Sequence, residues 1–116
     1  MRKVKVLTFG DDIAEDVWAI LEYEEMVFGD NGGDPDGPAW MQDAANFSKA
    51  TIEAVKALGG SVIDGYEADY MPTDSDPFYG QVYCGFGSAN LAYTASAATA
   101  KAIQRHHDDL QVAAGR

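Results

Sequence analysis

At the start of the chain Val4 and Val6 alternate with Lys3 and Lys5 before Leu7-Thr8-Phe9. Period-two alternation of this kind predicts a strand of about six residues leading into a buried position. Gly10 stops it. Asp11 or Asp12 is then placed to cap a helix running to about Phe28, because a short acceptor side chain satisfies free N–H groups and acids favour the positive helix start. At roughly 100° per residue Ile13, Val17, Ile20, Leu21, Val27 and Phe28 gather on one side, the side expected to face the core. Glu24 falls by angle among them, close enough to the helix end to reach water.

The segment Gly29 to Gly37 is rich in Gly and Asp and reads as a loop. Pro38 suits the first position of a second helix that Gly59 ends, with Trp40, Met41, Ala44, Phe47, Thr51, Ile52, Val55 and Leu58 recurring at helical spacing. A strand follows near 61–70, and a loop at Pro72 to Pro77 precedes an alternating stretch from Tyr79 to Phe86 with Val82, Cys84 and Phe86 inward. Gly87-Ser88 is a hairpin turn into a strand over Asn90 to Ala95, and Ser96 is the N-cap of a last helix through about Leu110. The competing pattern makes 88–111 one long Ala-rich helix; Tyr93, Thr94 and the preceding glycines favour strand then helix. The expected fold is α+β, a small, largely antiparallel sheet with helices packed on one face in the order β-α-α-β-β-β-α. Residues 1–116 are expected to form a single domain, since 116 residues with 47% hydrophobic content can bury a core without staples.

Charge changes the picture. Nineteen acids against eight Lys and Arg give a net charge of −11, which excludes attraction to nucleic acid or anionic membrane as the main business of the chain. The lone Cys84 excludes an internal disulfide and points to a reducing, cytoplasmic setting. The basic N-terminus is followed by too short an apolar run for a signal segment, and no stretch of ~18 apolar residues offers a membrane span.

The acids are also unevenly placed. Between Lys5 and Lys49 there are eleven acids and no base, and between Lys56 and Lys101 five acids and no base. On a helical wheel Asp11, Glu15, Glu22 and Glu25 share an arc of roughly 80° opposite the apolar side, flanked by Asp12 and Asp16, with Trp18 projecting among them. Like charges three or four apart oppose helix formation by a few tenths of a kcal/mol per pair, so a stripe without interleaved Lys asks for a reason. One reason is phosphate mimicry: carboxylates at that spacing stand ~5–6 Å apart at Cβ, comparable with successive phosphates on a nucleic-acid strand. The layout resembles that of small acidic phage-encoded inhibitors that imitate DNA. The resemblance is one of composition over residues 11–76 and transfers no residue roles.

The expectation is therefore a non-enzymatic binding protein that occupies the nucleic-acid site of a basic partner protein or complex, such as a host defence or restriction complex. Asp11, Asp12, Glu15, Asp16, Glu22 and Glu25 would meet Lys and Arg, Trp18 would anchor, and Asp69, Asp74 and Asp76 would extend the patch. The plain alternative is a solvated helix face on a protein kept soluble by its charge. No cofactor is expected. The loop from Asp30 fails the EF-hand pattern, with Met41 at its twelfth position, and no phosphate loop or GxSxG is present. Two rival functions stay open. A metal-dependent enzyme or metal-binding domain would use His106, His107, Asp108 and Asp109, which lack an identified further ligand. A homo-oligomeric structural subunit would self-associate through Trp18, Trp40 or Tyr surfaces.

Overall fold

The structure is a computed structural model and describes residues 1–23, 40–71, 77–78, 80–84 and 91–115. Strand β1 (Arg2–Phe9) leads through a 3-10 turn (Asp11–Ile13) into helix α1 (Ala14–Tyr23). Strand β2 (Trp40–Asp43), a second 3-10 turn (Ala44–Asn46), helix α2 (Lys49–Leu58) and strand β3 (Ser61–Asp69) follow. The short β4 (Tyr83–Cys84), β5 (Leu91–Thr94) and helix α3 (Ala97–Ala114) complete the order. The five strands form one sheet, β2-β1-β3-β5-β4, antiparallel at every junction. The fold is α+β, as the hydrophobic pattern predicts.

Register sorts the side chains into two faces. Leu7 and Phe9 of β1 pack with Val17 and Leu21 of α1 and Val55 of α2. Because Leu7 pairs with Val62, the same face of β3 continues to Ala68, which pairs with Ala92 and is covered by Ile103 of α3. All three helices therefore lie on one side of the sheet. The other side carries Val6, Met41 and Tyr93. The outer strand β2 also contacts β4 and β5 across the sheet, so the sheet curls and encloses these residues.

Two sequence-based expectations are corrected. The second helix does not begin at Pro38. Trp40–Asp43 instead pairs with β1 in the register Val6↔Asp43 to Phe9↔Trp40, and Thr8 Oγ1 donates to the Trp40 carbonyl. Asp43 then accepts from Ala45 N–H, and Ser48 accepts from Thr51 N–H at 3.2 Å to cap α2, which starts at Lys49. The apolar positions of a buried strand followed by a helix had the spacing of one long helix, and edge pairing with β1 decided otherwise. The N-cap expectation for Asp11 or Asp12 is also replaced. Gly10 holds that position without a side-chain cap, and Asp11 Oδ1 accepts from the Trp40 indole N–H at 2.6 Å.

Elsewhere the expected stop at Gly59 and start at Ser96 hold, while α3 runs on to Ala114, past the expected end near Leu110. Gly59 closes α2 at φ +116°, a left-handed position that favours glycine. Ser96 caps α3 by accepting from Thr99 N–H, and β5 is a strand, which removes the single helix over 88–111. Within the expected strand from Tyr79 to Phe86, Gly80 has φ +83° and Gln81 N–H donates to Phe78 O at 2.9 Å, a turn that confines the described extended segment to Tyr83–Cys84. The expected loop at 29–37, the far end of the first helix and the turn at Gly87-Ser88 lie outside the described residues.

Candidate partner-binding surface

Helix α1 owes its orientation to Val17 and Leu21, which are fully buried under β1 and α2. Fixing these two inward forces the positions opposite them outward. Asp11, Asp12, Glu15, Asp16 and Glu22 are all exposed. Among the described residues none of the five forms an ion pair. Acids at the start of a helix gain from its dipole, which offsets part of their mutual repulsion near Asp11 to Asp16, and Glu22 near the other end has no such help.

Trp18 lies within this face and is 38% exposed. It is not free-standing. Its ring meets Trp40 in a T-shaped contact, centroids 5.6 Å apart, and Trp40 in turn stacks on Phe9 at 6.1 Å and 9°. The Asp11 carboxylate on the Trp40 indole N–H ties the start of α1 to β2. Aromatic packing thus sets the Trp18 ring at the border between core and surface.

The rest of the charge is handled differently. Two of the acids after Lys56, Asp64 and Glu67, meet bases of β1 across the sheet. Lys5 pairs with Asp64 and Arg2 with Glu67, as the register Lys5↔Asp64 and Arg2↔Glu67 requires. Lys5 draws the Asp64 carboxyl below its usual pKa through a hydrogen bond and its charge. Glu67 is 8% exposed and accepts twice: from Arg2 Nε at 2.6 Å and from Tyr93 O–H at 2.8 Å. Burial, then the bond to Glu67 and its charge, pushes the Tyr93 phenol well above the usual tyrosine range. The Glu67 hydrogen bond and charge likewise raise the Arg2 guanidinium. This network was missed in the sequence because its members are 65 and 26 residues apart; strand register is the signal that joins them.

Asp69 is held by α3. It ends β3, about 26 Å along the strand from Ser61, the residue beside Thr8 near the start of α1. Its backbone N–H donates to Gln104 Oε1 and its carboxylate accepts from Gln104 Nε2 at 3.3 Å. Glu25, Asp74 and Asp76 lie outside the described residues.

The C-terminal cluster is dispersed around α3. His106 packs its ring edge-on to Phe78 at 5.6 Å, and His107 Nδ1 lies 3.6 Å from Asp108. Among the described residues no three His, Cys, Asp or Glu side chains converge in a way that could hold a metal ion. No described helix is long and apolar enough to cross a membrane. No protein-family model, curated protein or solved structure matches this chain.

Proposed function

We propose that the chain is a non-enzymatic binding protein whose α1 face docks on a basic, nucleic-acid-binding protein or complex and blocks its nucleic-acid site. The observation that carries this is the contrast between the two groups of acids. Asp64 and Glu67 are matched by the chain's own cations, whereas Asp11, Asp12, Glu15, Asp16 and Glu22 are exposed and unmatched among the described residues. A line of unpaired carboxylates held at helical spacing offers a groove of Lys and Arg the negative charges that a nucleic-acid strand would offer it. Trp18, on the same face, supplies apolar contact area, as interface anchors do. A host defence or restriction complex in a reducing cytoplasm is the kind of partner that fits.

The test is capture of partners from host lysate on the immobilised protein, wild type against Glu15→Gln/Asp16→Asn/Glu22→Gln. The proposal expects a basic nucleic-acid-binding protein held at ~50 mM salt and released by ~300 mM, as charge-led association requires. The variant should hold roughly tenfold less. Equal capture by the variant, or capture indifferent to salt, refutes the proposal. The metal-dependent rival would instead show a rise in melting temperature with a divalent cation.

A further inference from the structure

We propose that Glu15, Trp18 and Glu22 together form a receptor for an arginine side chain of the partner, selective for guanidinium over ammonium. The inference deepens the function proposed above and rests on it. Three observations lead to it. Glu15 and Glu22 stand three residues before and four after Trp18, so on α1 both carboxylates flank the indole on one face, each ~5–6 Å away at Cβ. All three side chains are exposed. Trp18 meets Trp40 in a T-shaped contact at 84°, a geometry that leaves at least one broad face of the Trp18 indole uncovered by Trp40.

The chemistry of the occupant follows from this arrangement. A planar cation stacks on an aromatic face while its N–H groups remain free in the plane to reach carboxylates on either side. Guanidinium has that shape, with five donors in a fixed fork that can engage a carboxylate bidentately. Ammonium is a compact, strongly hydrated charge; over the indole it loses water and gains no second fork. Trp40, against which the Trp18 ring packs, is itself held by its stack on Phe9 and by the Asp11 hydrogen bond, which reduces the ordering needed on binding.

The experiment uses the full chain and two peptides of equal length and charge, one of arginine and one of lysine, titrated by calorimetry and by the emission of Trp18 and Trp40. The arginine peptide should bind about threefold or more tighter, the size expected for a cation–π contact at an exposed site. Trp18→Leu should weaken arginine binding more than lysine binding and bring the two affinities level. Trp18→Phe, which keeps a ring against Trp40, should retain part of the preference and guards against a Leu variant that fails to fold. Equal affinities for the two peptides in the wild type, or equal weakening of both by Trp18→Leu, overturns the receptor while leaving the acidic docking face intact. Absence of binding to either peptide overturns the docking face and the receptor with it.

Discussion

At Glu67 a carboxylate that is almost wholly enclosed accepts from a guanidinium and a phenol, so its desolvation is offset by two short hydrogen bonds. Removing one donor leaves the other partner bonded but one oxygen unsatisfied, and Tyr93→Phe should cost about 1–3 kcal/mol in chemical denaturation. The same pair sets an alkaline limit. The folded state holds the Tyr93 proton more tightly than the unfolded chain does, so its contribution to stability is complete below the ordinary tyrosine pKa of about 10. As pH rises beyond that, the unfolded tyrosine ionises first and the contribution is lost toward the raised folded value. Melting temperature should therefore fall above about pH 10, and less steeply in Tyr93→Phe than in the wild type. None of this was legible in the sequence. Arg2, Glu67 and Tyr93 have unremarkable neighbours along the chain, and only strand pairing brings them into one network. Trp18 was half legible: helical angle placed it on the acid face, but its contact with Trp40 required β2 to lie against β1.

Among the elements, those with both a periodic pattern and a local stop were readable. β1, β3 and α3 each end or begin at a residue that its neighbours alone explain: Gly10, Gly59-Gly60 and Ser96. β2 failed this test because four residues are too few to show a period, and Trp40 and Met41 fell in phase with the helix that follows. The true start of α2 is the Ser48 cap, so Ser48→Ala should cost about 1 kcal/mol, measured by thermal or urea unfolding. Gly65 marks a tight approach within the curl. A Cβ there would lie 2.5 Å from Val6 Cγ2 and 3.1 Å from the Thr94 carbonyl. Gly65→Ala should destabilise by about 1–3 kcal/mol, since β1 and β5 must both shift; an unchanged urea midpoint would contradict the described packing.

Over the whole chain the eight bases and nineteen acids are not interleaved in sequence. Two of the three β1 bases serve β3, Lys56 lies 3.9 Å from Glu53 on its own helix, and the α1 face is left unmatched among the described residues. Such a face costs stability through like-charge pairs. Glu15→Gln/Glu22→Gln should consequently melt no lower than the wild type at low salt, and added salt should raise the wild-type melting temperature more than that of the variant. A drop in stability on neutralisation would mean that the carboxylates have partners within the chain. Uneven charge was readable from residue order alone, but which acids stay unmatched was not, because cross-strand pairing removed Asp64 and Glu67 from the set. The most direct measurement of the central claim is fluorescence anisotropy of labelled duplex DNA bound to the captured partner, with this chain titrated in. Displacement by the wild type at low salt, with Glu15→Gln/Asp16→Asn/Glu22→Gln roughly tenfold weaker, is the predicted result; DNA that stays bound, or equal displacement by both proteins, would contradict it.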